Sequence, residues 1–376
     1  MGSSAASQSV EPATSAGFEY VFPAIRGIQA GREFYVSMCP LRLIPKIFLF
    51  DEDELAPEVR AQRILNKGRL PALTRYLVDN PTDYVFSALT ASVDGDMRFE
   101  GIADSGVGMR AGQIVISMAA RFLINDGQHR RAAIEQALKE NPDLGEETIA
   151  VVFFHDAGLA RCQQMFADLN RHAVRPPRSI GVLYDHRDDL ATTVRLLAMR
   201  APVFKGFVEM ESSTLSQRSR KLFTLSSVYY ATQSLLQGLE ITKDQSRELA
   251  EAYWAAVDAV IPEWKLVRRR ELSAQDVRRD YLHTHGIALH ALGRVGNSLL
   301  RKSLAPRSWT PALKRLSSVD WSRANTDWEG RALVGGRVSK SHQNLTLTVN
   351  YLRQHLKLEL SAEEQRAEDA YLRGES

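Results

Sequence analysis

The sequence predicts an α+β protein, with a mixed α/β N-terminal domain over residues 18–185 and a mainly α-helical domain over residues 186–358. Three observations carry this prediction. Runs of β-branched and aromatic residues, the strand signal, stop at Phe154. From about Asp185 onward, apolar residues recur at helical spacing. The chain also has 376 residues, more than one hydrophobic core usually spans.

In order, residues 1–17 are rich in Ser, Ala and Gly and read as a disordered leader with too little apolar content to fold. Strand-like runs follow at Phe18–Phe22, Phe34–Met38 and Lys46–Phe50. The acidic stretch Asp51–Glu58 leads into a helix that opens near Pro57, breaks around Gly68 to Pro71 and ends at Asn80-Pro81. Tyr84–Thr90 reads as a strand, Asp94-Gly95-Asp96 as a turn, and Met97–Glu100 as the returning arm of a hairpin. Gln113–Ser117 and Arg121–Ile124 are further strands. A helix to about Glu140 is stopped by Asn141-Pro142, and Thr148–Phe154 is an unbroken apolar run of the kind buried in parallel sheets. Strand 121–124, helix 129–140 and strand 148–154 are therefore expected to form a right-handed βαβ unit. A helix from Leu159 to Leu169 follows, then Asn170-Arg171-His172, then Arg175-Pro176-Pro177-Arg178, which the prolines keep out of helix. The helices of the second domain are expected at 187–200, 222–237, 243–260, 273–304 and 341–357, with Val208–Arg220 a loop. Residues 359–376 read as an acidic tail.

Hydrophobic residues make up 44% of the chain and charged residues 25%, the balance of a soluble globular protein. Two cysteines, Cys39 and Cys162, exclude a disulfide framework or a Cys-rich metal site and fit a reducing cytoplasm, the expected location. No apolar run approaches the ~18 residues that a membrane span needs. The N-terminus lacks the basic-then-apolar pattern of a signal peptide. Net charge is only +3, yet it is segregated: Trp264 to Arg315 carries 12 basic residues against 3 acidic ones, and Arg161 to Lys221 carries 11 against 6. Segregated positive charge points to a polyanion partner.

The stretch that organises the first domain is Ile124-Asn125-Asp126-Gly127-Gln128-His129-Arg130-Arg131. An apolar run ends abruptly in polar residues and a glycine, and a helical pattern begins at once. A strand–glycine–helix junction presents backbone N–H groups and the positive helix end to an anion. Arg130 and Arg131 add charge-assisted donors. The Gly-x-x-x-x-Gly-Lys-Ser/Thr pattern of a Walker loop is absent.

Asp126-Gly127-Gln128-His129-Arg130 is also the signature of the DGQHR-domain family, and its surroundings resemble the DndB family. The resemblance extends from about residue 18 into the 350s, through Arg26–Tyr35, Arg60–Lys67, Phe166–Asn170, Tyr184–Asp188 and Ser216–Phe223. It implies a ParB/sulfiredoxin-like α/β domain, in whose group a comparable Gly-x-x-Arg turn binds nucleotide phosphates. It thereby implies a nucleotide site at Asp126, Gly127, Gln128, His129, Arg130 and Arg131, with ATP or another NTP and Mg²⁺ as the candidate ligand. It further implies a DNA-binding negative regulator of gene clusters that replace a non-bridging phosphate oxygen of DNA with sulfur, and not the sulfur-transfer enzyme. The expected partners are promoter DNA of the protein's own cluster and other sulfur-modification proteins; the sequence leaves homo-oligomerisation open.

Three further constellations bear on DNA. Asn170, Arg171, His172, Arg175 and Arg178 read either as further phosphate contacts beside the focal turn, with Asn170 orienting it, or as a basic helix terminus suited to the dipole. Arg218, Arg220 and Lys221, in a Ser/Thr-rich loop, suit phosphate-backbone contacts. Lys265, Arg268, Arg269, Arg270, Arg278 and Arg279, with Trp264 beside them, form the densest basic run. His283, His285 and His290 do not have zinc spacing, so no metal is expected. An NTPase acting at the Asp126–Arg131 turn is the alternative to the regulator, and nucleotide binding there is compatible with gating DNA binding.

Overall fold

Strand β1 (Glu19–Gln29) buries Phe22 and Ala24 and leaves Val21 and Ile25 exposed, so one face seeks a core. The computed structural model describes residues 18–48, 67–155, 164–165, 168–169, 176–339 and 341–374. The expected leader, the acidic stretch at 51–58, most of the helix at 159–169, Cys162 and residues 170–175 lie outside them. The molecule is α+β, in two compact units over residues 1–174 and 175–376.

Among the described residues, the first unit has one sheet of seven strands: β1, β2 (Arg32–Pro40), β3 (Leu89–Asp94), β4 (Met97–Gly101), β5 (Ala111–Ser117), β6 (Arg121–Asp126) and β7 (Thr148–His155). Their order is β4-β5-β1-β2-β7-β3-β6, antiparallel except for β3 beside β7. Only Gly95 and Asp96 separate β3 from β4, yet the two pair at opposite ends of this order. Residues 118–120 likewise separate β5 from β6. The pairs β3–β6 and β4–β5 are therefore two halves of one ribbon bent at a corner, which the bond from the Ser117 N–H to the Asp96 carbonyl closes. The sheet is strongly curled, and the rings of Tyr20 on β1 and Phe122 on β6 lie 6.0 Å apart across its interior. Phe22, Phe48, Leu89, Val93, Ile116 and Phe153 fill that interior.

Four expectations are corrected here. Strand β6 is antiparallel to β3, which is parallel to β7, so β6 and β7 run in opposite directions with β3 between them. The expected right-handed βαβ unit is not formed, because the apolar run of β7 reflects a central position that one antiparallel neighbour satisfies as well. Met97–Gly101 pairs with β5 and is not a hairpin arm to β3. The strand expected at Tyr84–Thr90 begins only at Leu89, since Phe86 stacks on Tyr76 of the helix Leu70–Val78 (α2) and Tyr84 packs on Phe86. Of the strand expected at Lys46–Phe50, Lys46 and Ile47 end the helical turn Ile44–Ile47 (α1), which has Pro45 in its first turn, and residues 49–50 lie outside the described residues. Helix α3 (Gln128–Glu140) follows β6 and lies beside α2, tied to it by Thr74 Oγ1 donating to Gln136 at 2.9 Å.

The second unit is helical around Trp254, Trp264, Trp309 and Trp328. Its helices are α4 (Arg178–Tyr184), α5 (Asp189–Arg200), α6 (Leu225–Leu236), α7 (Lys243–Val260), α8 (Pro262–Arg268), α9 (Ala274–Asp280), α10 (Gly286–Leu300), α11 (Pro306–Leu313), α12 (His342–His355) and α13 (Ala362–Leu372). Val182 of α4, read with the first domain in the sequence, sits in this core. The single helix expected over 273–304 is broken at Tyr281–His285, where the Leu282 N–H bonds the Trp321 carbonyl at 2.9 Å and His283 is buried against Trp264. The segment read as an acidic tail contains α13, opened by a capping box of Ser361 and Glu364. Its acids are drawn inward: Glu368 bonds Arg331 and Asn350, and Glu364 bonds Arg353. No helix among the described residues is long and apolar enough to cross a membrane.

Candidate functional site

The focal turn is where β6 becomes α3. Asp126 ends the strand opposite Thr90, and Gly127 takes φ +108° as the helix N-cap. A Cβ there would lie 2.3 Å from Leu89 Cδ2, so only glycine fits both the dihedral and the space. The first turn of α3 has no side-chain cap, which leaves its positive end to another acceptor. Arg130 turns back over this end, donating to Asp126 at 2.7 Å and to the Ser87 hydroxyl. Its neighbour goes the other way. Arg131 is buried and donates to the carbonyls of Phe48 at 2.9 Å and Pro45 at 3.1 Å, and to Glu135. That arginine, expected at the phosphate, holds the segment around Pro45–Phe48 against α3 instead. Gln128 is buried with its amide toward the Ile124 carbonyl at 3.3 Å. His129 is half-buried, and burial with Arg69 nearby holds its ring below the usual histidine range.

Asn125 completes the turn and was missed as a site residue. Fully buried, it donates to Ser92 Oγ at 2.7 Å and Met165 Sδ at 3.2 Å, while its Oδ1 has no hydrogen-bond partner among the described residues. A buried amide oxygen without a donor is costly. Its polarity amid the buried β6 residues was the available signal. Ser87, the other missed residue, carried none. Asn170, Arg171 and Arg175 lie outside the described residues.

In the second unit, two basic segments far apart in sequence come together. Arg218 and Arg220 of one loop and Arg268 and Arg270 at the α8–α9 junction line a concavity of about 680 Å³, together with Glu271 and Ser273. Arg278 organises the loop side, donating to the carbonyls of Ser216 at 3.0 Å, Gln217 at 2.8 Å and Ser219 at 2.8 Å, and to that of Lys221. Arg218, Arg220, Arg269 and Arg270 are exposed and have no acidic partner among the described residues.

Compared with known protein families, the sequence matches the one described as DndB: DNA-sulfur modification-associated, over residues 22–359. The chain belongs to the DndB family. Neither curated proteins nor solved structures give a match. Membership associates the chain with DNA sulfur modification.

Within this DndB-family chain, the remaining basic residues are mostly engaged in the fold. Lys221 Nζ donates to the Gly206 carbonyl at 2.8 Å, and Lys265 Nζ to that of Ala259 at 3.3 Å. Arg279 pairs with Asp276 and Asp280 at 2.9 and 2.7 Å, and Arg268, on the wall of the concavity, is itself held by Asp258 at 2.6 Å. Arg178 lies over the rings of Tyr229 and Tyr230, 5.3 and 5.8 Å from their centroids. Among the described residues no group of His, Cys, Asp and Glu is arranged to hold a metal ion. His283 accepts from the Trp264 indole at 3.0 Å, and His290 lies 2.7 Å from the Ser234 hydroxyl.

Proposed function

We propose that the chain is a DNA-binding negative regulator of a DNA-sulfur-modification gene cluster, and that the concavity lined by Arg218, Arg220, Arg268 and Arg270 contacts the DNA backbone. The observation that carries this reading is the convergence of two basic segments, some fifty residues apart, on one concavity. A groove of guanidinium groups neutralises phosphates and releases their counterions, so it supplies affinity and position without reading sequence. Arg278 supports the reading from behind, because its four carbonyl bonds fix the loop that presents Arg218 and Arg220.

The test is a binding titration against a duplex of the cluster's own promoter at two salt concentrations. The unchanged chain is expected to bind more weakly at higher salt. The double substitution Arg218→Ala with Arg220→Ala is expected to flatten that dependence by about 1.8 in log–log slope, from ~0.9 per lost phosphate contact. Binding that ignores salt, or a double variant with the parental slope, would remove the groove from the function.

A second reading has its own support, from the uncapped start of α3, Gly127 and the unpartnered Asn125 Oδ1. Here the focal turn binds a nucleoside triphosphate with Mg²⁺, its phosphates at the backbone of Gln128 and His129 and at Arg130. The discriminating measurement is thermal stabilisation by ATP, CTP and GTP with and without Mg²⁺. A nucleotide shift retained in full by Arg130→Ala would place the nucleotide elsewhere.

A further inference from the structure

The second unit holds another concavity, of about 750 Å³, which the DNA reading does not use. Three helices begin on its wall. Thr224 and Ser227 come from the start of α6, His285 and Gly286 from the start of α10, and Ser341 and His342 from the start of α12. These helices have 12, 15 and 14 residues, so each presents a partial positive charge of roughly half a unit. The starts of α6 and α10 nearly touch, since a Cβ on Gly286 would lie 3.2 Å from Ser227 Oγ. The first turn of α10 has no side-chain cap. Those of α6 and α12 are capped by the Thr224 and Ser341 hydroxyls.

Other features of the wall point the same way. Arg278 lines it, and its bonds go to carbonyls, which leave the guanidinium charge uncancelled. No carboxylate lines the concavity among the described residues. Thr284, also on the wall, is 5% exposed, and its hydroxyl has no hydrogen-bond partner among the described residues. Leu215, Tyr230 and Leu345 add apolar surface to the same wall. Positive helix ends and hydroxyls with aromatic and aliphatic surface beside them select an anionic group carrying an apolar body.

We propose that this concavity binds a small phosphorylated molecule, its phosphate seated where α6, α10 and α12 begin and its body against Tyr230, Leu215 and Leu345. The site is separate from the focal turn, and the proposal does not depend on DNA binding.

Calorimetric titration of the full chain with inorganic phosphate and with phenyl phosphate, at constant ionic strength, tests this. Both are expected to bind saturably, phenyl phosphate more tightly. Ser227→Asp and His342→Glu each place a carboxylate in the first turn of a helix, where it favours folding while occupying or repelling the anion position. Each is expected to keep the melting temperature of the unchanged chain and to weaken both probes by at least about tenfold, the loss of one charge-assisted contact. Loss of binding in Arg130→Ala with parental affinity in both carboxylate variants would assign the probes to the focal turn instead. The proposal is overturned by the absence of saturable binding or by parental affinity in both carboxylate variants. Equal affinity for the two probes would overturn the assignment of the apolar wall.

Discussion

Arg130 and Arg131 stand side by side in sequence but about 100° apart around α3, and that rotation divides their work. The buried face of the helix carries Arg131 with Ala132, Ala133, Ile134 and Ala137. Its guanidinium thus replaces water as the donor for two backbone carbonyls. Removing it strands those acceptors and unpairs Glu135. Arg131→Ala is expected to lower unfolding stability by about 2–4 kcal/mol, measured by denaturant titration. Arg130→Ala, whose partner Asp126 is open to water, is expected to cost about 1 kcal/mol or less. Equal losses would contradict the division. The residue types at this turn were legible in the sequence, and so were the glycine and the helix start. The direction of each guanidinium was not, because it depends on which face of α3 meets the segment at Pro45–Phe48, 83 residues away at the Phe48 carbonyl.

Among the elements, the corner at Gly95 shows most clearly how far local patterns reach. Asp94-Gly95-Asp96 announces a turn, and a turn it is, but one that bends a ribbon without folding a strand back on its neighbour. Nothing local separates the two outcomes, since both need glycine. The choice is made by partners, because β5 aligns with β1 over Glu19 to Ile25 and takes β4 with it. Gly95 has φ +140°, and a Cβ on it would lie 2.9 Å from the Cα of Ala120, which is backbone and cannot yield by rotating. Gly95→Ala should therefore strain both arms of the ribbon and destabilise the first unit by about 2–3 kcal/mol. A variant with an unchanged melting curve would show that the corner is not this tight. The same dependence on partners explains α13. Its acidic composition reads as solvated until Arg331 and Arg353, both outside it in sequence, are seen to receive Glu368 and Glu364.

For the molecule as a whole, a net charge of +3 conceals two separate stores of positive character, the guanidinium groove and the converging helix ends. It also conceals a set of histidines kept neutral. Burial holds His283, His285 and His290 below the ordinary histidine range, and His129 of the first unit is shifted the same way. The bonding of His283 requires a neutral ring, since its Nδ1 accepts from Trp264; His285 Nε2 donates to the Arg278 carbonyl at 2.9 Å, a bond that burial outweighs. On unfolding, these rings regain an affinity for protons near pH 6.5, so below that pH the unfolded chain binds more protons than the folded one. Stability is therefore complete above about pH 6.5 and falls as the pH drops toward the depressed folded-state values, by up to about 1.4 kcal/mol per pH unit for each such ring. Glu263, Glu19, Glu100 and Asp280, held below their usual range, push in the same direction only in more acid solution. Denaturant unfolding between pH 7.5 and pH 5.5, a range estimated from the ordinary histidine value near 6.5, isolates the histidine contribution. His290→Gln, whose amide can still meet Ser234, should reduce the pH slope, by at most about one proton. Stability that is flat or rising as the pH falls through this window would mean that the rings are already charged in the folded chain.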